Sequence, residues 1–378
     1  MSPFSRFDTD VAVLGGGCAG LSLAARLAGA SPGVTVIEPR TGYADDRTWS
    51  FWRTDRDPFV GCVRAHWDRW AVSAAGERVV RGSARLRYET LGAMAFYDQA
   101  IATIDAAPNT ELRLGTRVTA EPRPLGDGFA IATDAGECRA RTVVDTRPPG
   151  GAPGFGQYFT GAEIEVDGAA FDPTTVELMD FAAARPDRID FLYVLPFAAD
   201  RALVEATSFA PTPPPRGTLE ATLAQAIARF AQGRAVREVR REQGFIPMRP
   251  QAAQRTAATG HPGWVRAGLV GGAARPSTGY AFQRIQQASD RLAAQLRAGQ
   301  RPTPPALDGR ITRFMDALFL SVIRRRSALG PQLFLQLFRH APPDRLERFL
   351  AGSTASTDRL AVITALPPKP FLRELLVP

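Results

Sequence analysis

The stretch DVAVLGGGCAGLSLAARL, residues 10–27, decides how the chain begins to fold. Asp10 to Leu14 is a short apolar run, three glycines follow, and from Leu21 to Leu27 apolar residues recur at helical spacing. This is strand, tight turn, helix. Gly15, Gly17 and Gly20 occupy the glycine positions of a G-x-G-x-x-G loop. Small residues there let backbone N–H groups approach a pyrophosphate at the positive end of the helix. VTVI, residues 34–37, supplies a second buried strand, and Glu38 follows it at the place where an acid accepts hydrogen bonds from an adenosine ribose. An acid there disfavours a 2′-phosphate, so the loop predicts FAD or NAD and not NADP.

Outward from this unit the pattern becomes mixed. Trp70 to Tyr88 alternates as strands do, Met94 to Ala107 reads as helix, and Glu111 to Val118, Gly128 to Thr133 and Thr142 to Asp145 read as short strands. Arg147 to Gly151, with two prolines and two glycines, marks a domain crossing. Phe191 to Phe197 and Ala202 to Phe209 read as a hairpin, Leu219 to Ala231 as a helix, and Gly263 to Gly272 as a strand entering a turn before a helix from Gln283. Several helices follow Asp308.

The expected fold class is mixed α/β. A split Rossmann-like FAD-binding domain (1–90, 128–150 and 240–300) carries an inserted β-sheet substrate domain (151–239, with parts of 46–127) and a helical C-terminal region (301–378). The split body favours FAD over NAD by fold-level analogy.

With 378 residues and 45% hydrophobic content, the chain buries a sizeable core. Three scattered cysteines, Cys18, Cys62 and Cys138, make neither a disulfide framework nor a metal motif, and three dispersed histidines add none, so no metal is expected. The net charge of +8 fits an anionic membrane surface or simple solubility better than nucleic acid, because the basic residues are dispersed. With no apolar run of spanning length or secretory signal, the expectation is a cytoplasmic protein.

Further segments join the glycine loop: DRTWSFW (46–52), FLYVLP (191–196) leading into VEATSF (204–209), GFIPM (244–248), GGAARPSTGYA (271–281) and ALPPKPFL (365–372). In this order and spacing the chain resembles the bacterial lycopene β-cyclases along nearly its whole length. The resemblance implies an isomerase that closes the acyclic ends of lycopene to β-rings, through γ-carotene to β-carotene, without net oxidation. Reduced FAD would serve as a non-redox cofactor, with NAD(P)H as transient reductant. Two departures stand out: Arg47 and Trp52 where relatives carry histidines, and Ala206 in an acidic motif usually richer in glutamate. Glu205 is then the sole acid that matches.

Protonating an alkene requires a neutral acid in a dry pocket and stabilisation of a travelling cation. Glu205 is the candidate acid or cation stabiliser beside an anionic flavin, and Trp49, Phe51, Tyr193 and Tyr280 are candidate pocket aromatics able to face the cation. Gly271, Gly272, Ala273 and Gly279 would let backbone approach the flavin; the Gly-Asp of flavin hydroxylases is absent here. The alternatives are a flavin monooxygenase or reductase acting on an isoprenoid, and a non-catalytic carotenoid- or flavin-binding protein.

A C40 hydrocarbon comes from a bilayer. Phe314, Leu318, Phe319 and Val322 before Arg324, Arg325 and Arg326, and then Leu333, Phe334, Leu337 and Phe338, read as an amphipathic pair on an anionic surface at the inner face of the cell membrane. Other carotenoid enzymes would be its neighbours there.

Overall fold

The computed structural model describes residues 7–29, 31–54, 59–83, 85–148, 154–181, 185–249, 259–304 and 306–376. The strands in chain order are β1 (Thr9–Leu14), β2 (Val34–Ile37), β3 (Thr48–Trp52), β4 (Val63–Trp67), β5 (Arg69–Ala74), β6 (Glu77–Gly82), β7 (Tyr88–Gly92), β8 (Thr110–Arg113), β9 (Arg123–Leu125), β10 (Gly128–Thr133), β11 (Gly136–Asp145), β12 (Gly156–Val166), β13 (Thr175–Phe181), β14 (Ile189–Pro196), β15 (Arg201–Ala210), β16 (Val236–Pro247) and β17 (Trp264–Arg266). The helices are α1 (Cys18–Leu27), α2 (Ala93–Asp105), α3 (Thr218–Ala231), α4 (Phe282–Arg297), α5 (Arg310–Arg325), α6 (Gly330–His340), α7 (Pro343–Leu350), α8 (Ser356–Ala365) and α9 (Pro368–Leu375).

Val11, Val13 and Leu14 are fully buried because β1 is flanked on both edges, by β2 and β11 in parallel register. Parallel strands covered by helices lose all water-facing positions, which is why β1 and β2 read as continuous apolar runs. The first sheet has the order β8-β2-β1-β11-β10-β9, with β17 also pairing to β11. Helices α1 and α4 pack against each other beside it: Arg26 of α1 binds Asp290 and Gln286 of α4.

The second sheet has the order β16-β12-β15-β14-β13-β5-β6 and is mostly antiparallel. One face of it carries Ala162, Val204 and Ala206 against Leu223 and Ala226 of α3. The other carries Leu195, Leu203, Phe191 and Phe209 into a core shared with α5 to α8. A third sheet, β3-β7-β4, gives Trp52, Trp67 and Tyr88 to that shared core and Phe51 and Leu91 to the core that packs on the first sheet.

The structure is mixed α/β as expected, with several boundaries moved. Of the stretch 111–118 only 111–113 are strand, at the end of β8, and β11 starts at Gly136 because it forms a hairpin with β10. Of Gly263 to Gly272 only Trp264–Arg266 is strand; the rest turns through Gly268 (φ 69°) and Gly272 (φ 83°). Residues 240–247, expected with the FAD-binding domain, pair in the second sheet, since β16 runs its full length beside β12. Of the crossing at 147–151, residues 149–151 lie outside the described residues.

Candidate active site

At the glycine loop, Gly15 has φ 98°, a conformation open to glycine and costly for other residues. A Cβ on Gly20 would stand 1.9 Å from the Gly15 carbonyl oxygen, so the third glycine is what lets α1 close onto the turn after β1. At Gly17 the nearest atom to such a Cβ is 4.0 Å away, and no side chain caps the N-terminus of α1. That leaves the Cβ side of Gly17 open at the start of α1. Glu38 is buried and accepts from the Gly16 N–H, from the Arg40 N–H (2.9 Å) and from Arg40 Nε (2.8 Å). Burial alone would raise its pKa; the hydrogen bonds and charge of Arg40 outweigh this and hold it below the usual range. An ionised carboxylate, with Arg40 Nη2 as its fourth donor at 3.5 Å, therefore stands at the end of β2 beside the glycine loop.

The stretch 271–281 is held from behind. Arg275 is buried, pairs with Asp316 of α5 at 3.1 Å and donates to the Phe349 carbonyl of α7, while Ser277 donates to Asp316 at 2.8 Å. A Cβ on Gly271 would meet the Arg266 carbonyl oxygen at 2.4 Å, and one on Gly279 (φ 76°) would meet Gln157 Oε1 of β12 at 2.9 Å. Gly272 takes the positive φ of the turn, and Ala273 is buried beneath it, its carbonyl accepting from Arg284 of α4. Gly279 thus brings the end of the loop against Gln157 of β12 and Ile246 of β16 in the second sheet.

Strand register places those acids in rows. Tyr193 on β14 pairs with Glu205 on β15, Glu205 with Gly161 on β12, and Gly161 with Glu242 on β16. Directly paired residues point to one face, so two carboxyls flank a glycine that offers no side chain between them. Both are buried, Glu205 to 6% exposure and Glu242 to 5%. Burial, reinforced by the adjoining Glu242 carboxyl, pushes Glu205 well above the ordinary carboxylate range. Glu242 accepts from Thr48 Oγ1 at 2.8 Å and from Arg240 Nη1 at 2.6 Å. In the adjacent row Glu163 accepts from Arg64 (2.8 Å), Arg201 (2.7 Å) and Arg240 (2.9 Å).

Beyond Glu205 three tyrosines meet. Tyr88 of β7 and Tyr193 share a hydrogen bond of 2.9 Å, and the Tyr280 ring lies 6.4 Å from that of Tyr88. Burial raises the pKa of all three, keeping them neutral. Tyr280 also lines an apolar cavity of about 340 Å³ enclosed by α5 to α9, with Met315, Phe319, Phe334, Leu337 and Phe349 in its wall.

Of the expected pocket aromatics, Tyr193 and Tyr280 are therefore beside Glu205 or at the cavity end, whereas Trp49 and Phe51 are not. Side chains alternate along β3. Thr48, Ser50 and Trp52 face the acids and tyrosines, and Trp49 and Phe51 turn the other way onto Phe96 and Phe282. Trp52, Tyr88 and Glu242 are the site residues that sequence reading missed. Alternation within TWSFW was the signal for Trp52; nothing local marked Glu242.

The family profile described as lycopene cyclase protein matches residues 10–376. This chain belongs to the lycopene cyclase family. It is 30% identical over 401 residues to the lycopene beta-cyclase of Paracoccus sp. (strain N81106 / MBIC 01143), covering 96% of this chain and 95% of that one. Among solved structures it is similar in fold to a geranylgeranyl bacteriochlorophyll reductase-like protein of Thermoplasma acidophilum (TM-score 0.61, 13% identity, 97% and 98% covered). It is similar also to an aklavinone-11 hydroxylase in ternary complex with FAD and aklavinone (TM-score 0.55, 17% identity, 94% and 71% covered).

The helical region of this family member corrects one expectation. Phe319, Val322, Leu333, Phe334, Leu337 and Phe338 are buried in the core, Arg325 pairs with Glu374 at 3.0 Å, and the Arg324 guanidinium sits over the Phe155 ring. The moment of α5 and α6 points inward along most of its length. The exposed apolar residues lie elsewhere: Phe314 (56% exposed), Ile363 (54%) and Leu372 (58%) rim the apolar cavity, with Ile311, Leu360, Leu375 and Leu376 around them. Among the described residues no helix is long and apolar enough to cross a membrane.

Proposed function

We propose that this protein cyclises the acyclic ends of lycopene to β-rings, first to γ-carotene and then to β-carotene, with Glu205 as the proton donor. The observation that carries this reading is a buried, neutral carboxyl whose strand neighbour Tyr193 is bonded to Tyr88, with the Tyr280 ring beside Tyr88 in the wall of an apolar cavity. An acid meant for an alkene must keep its proton at neutral pH and release it where water cannot compete.

The Glu205 proton passes to C2 of the substrate end, leaving a cation at C1. The C5–C6 double bond attacks it, positive charge moves to C5, and loss of the C6 proton closes the reaction with atoms and oxidation state conserved. The faces of Tyr193, Tyr280, Tyr88 and Trp52 meet that cation, at about 1 to 2 kcal/mol for each ring that faces it in a dry site. The cavity lies at the lower end of the usual range for ligand pockets, about 300–1,000 Å³. It takes one end of the C40 chain while the rest extends through the rim.

The residues fit FAD: an uncapped helix N-terminus over Gly15 to Gly20, an ionised Glu38, and the turn of Gly271, Gly272, Ala273 and Gly279. Reduced FAD supplies negative charge beside the cation when bound and is not consumed; NAD(P)H is the proposed reductant.

Purified protein with lycopene in anionic liposomes, incubated anaerobically with dithionite-reduced or oxidised FAD, tests the reading by chromatography of the carotenoids. β-Rings forming only with reduced flavin are expected. Oxygenated or hydrogenated products, once oxygen and NADPH are supplied, would point instead to a monooxygenase or reductase.

We further propose that the cavity rim rests on the anionic inner face of the cell membrane. Phe314 shares α5 with the exposed cation Arg310, and Leu372 shares α9 with the exposed cations Lys369 and Arg373; Ile363 adds apolar area from α8. Burial of apolar area and basic attraction then add. In liposome flotation, replacing the three apolar residues by serine is expected to abolish binding, while replacing Arg324, Arg325 and Arg326 by alanine leaves most of it; the opposite result would return the contact to the arginine cluster.

A further inference from the structure

The row Tyr193, Glu205, Gly161, Glu242 holds one more carboxyl than a single acid requires. A lone buried acid that gives up its proton must recover one, and a dry pocket supplies none from water. Glu242 sits on the far side of Gly161, on a different strand from Glu205 and 37 residues later in the chain. Gly161 is what lets the two approach: a Cβ there would stand 2.6 Å from Glu205 Cγ.

We propose that Glu242 is a positioning residue for the acid: it and Glu205 meet across Gly161 and hold one proton between them, so that the group that protonates the substrate also takes the proton back. The inference rests on Glu205 being the acid. Charge is divided by the surroundings. Thr48 from β3 and Arg240 from its own strand bind Glu242, with Asp45 3.3 Å from Arg240. Glu205 faces Tyr193 of β14, whose hydroxyl is tied to Tyr88. Glu163, one row along on β12, is occupied by Arg64, Arg201 and Arg240. On the opposite face of the sheet at this level, Ala162, Val204 and Ala206 pack against Leu223 and Ala226 of α3. The Arg240 guanidinium and the Thr48 hydroxyl therefore both bond to Glu242, which leaves the shared proton on the Glu205 side.

In the reaction the Glu205 O–H bond breaks and a C2–H bond forms, leaving two carboxylates side by side facing a substrate cation. Attraction to the cation stabilises that arrangement while it lasts. Once C1–C6 has formed, repulsion between the two carboxylates favours return of the C6 proton: the C6–H bond breaks, its electrons form the new ring double bond, and the Glu205 O–H bond is restored. No external acid, oxidant or reductant enters the balance.

The test is the pH dependence of cyclisation by the full-length protein with reduced FAD in lycopene-loaded liposomes, alongside the infrared band of protonated carboxyls recorded without substrate. Glu242→Gln keeps the shape and removes the charge, so the alkaline limb of kcat and the titration of the Glu205 band are expected to move down by about one pH unit or more. Glu242→Asp should restore most of the shift. In the wild type, a band that persists above neutral pH and vanishes in Glu205→Gln is expected, and its absence would overturn the pairing with no Glu242 variant needed. A slower Glu242→Gln enzyme whose alkaline limb and band are unmoved would make Glu242 merely structural. Glu205→Gln turning over like wild type would sink the acid assignment itself; an inactive Glu205→Gln with an unmoved Glu242→Gln limb sinks only the pair.

Discussion

Two buried glutamates one row apart on a single sheet face, Glu163 and Glu205, are in opposite protonation states. Burial pushes both carboxyls up, and only their partners differ. Around Glu163 the hydrogen bonds and charge of Arg64, joined by Arg201 and Arg240, overcome burial and bring it down to about 2. Around Glu205 burial is reinforced by Glu242, and Arg240 offsets little of it. Desolvation makes a carboxyl sensitive, and the charge of the nearest neighbour decides its state. One end of the face is an ion cluster, and the other holds a carboxyl that keeps its proton.

The largest effect expected from breaking this contrast is at Glu205. Glu205→Gln should lower cyclisation by about 10²–10⁴-fold, the usual contribution of a general acid, with FAD binding unchanged. The same change should help the fold. A carboxyl whose pKa is raised on folding binds more protons in the native than in the unfolded state above pH 4.5, so it costs stability as pH rises. The glutamine variant should therefore gain in Tm over wild type on moving from pH 5 to pH 8. A variant that loses both activity and stability at pH 8 would mean that Glu205 is part of the ion cluster after all.

Glu163 should behave in the reverse sense. Its carboxyl, brought from 4.5 to about 2, contributes stability that is present above pH 4.5 and lost as pH falls through about 2. The size is about 3 kcal/mol, trimmed because Arg64 and Arg201 keep contact with water. Glu163→Gln should lower Tm at pH 7 and flatten its acid slope while leaving the alkaline limb of catalysis where it was. An alkaline shift as large as that of Glu242→Gln would merge the two clusters into one titrating unit.

The two regions also differ in how far they could be read in advance. The nucleotide unit was legible because each requirement there is local: a positive φ at Gly15, a close approach at Gly20 and an acid ending the next strand all fall within 29 residues, 10–38. The acid face is assembled by strand pairing over long separations. Glu205 could be picked out from VEATSF, but Glu242 reaches it only through the β12–β16 register, and its place beside Gly161 has no sequence signature. Trp49 and Phe51 lie on one face of β3 and Trp52 on the other, and in a strand a period of two decides which side faces the acids, something the motif TWSFW alone does not carry. The C-terminal helices failed differently: their apolar stripe was real but faces the core, and the exposed residues at the cavity rim come from three separate helices.

The finest test of the contrast moves the carboxyls without altering any charge. Gly161 is not in the left-handed region, so alanine is tolerated by the backbone, and the added methyl meets Glu205 Cγ at 2.6 Å and the Val204 carbonyl oxygen at 3.3 Å. Forcing that contact in a packed sheet should cost about 1–3 kcal/mol of stability, read as a lower Tm. It should also push the Glu205 and Glu242 carboxyls apart. Burial, the larger cause, still keeps Glu205 neutral, so its alkaline limb should fall by less than in Glu242→Gln, in proportion to the repulsion that is lost. A limb that moves with Gly161→Ala makes the separation of the two carboxyls the quantity that sets the acid. If Tm falls and the limb stays fixed, Gly161 is needed only for packing, and Glu205 owes its proton to the dry pocket alone.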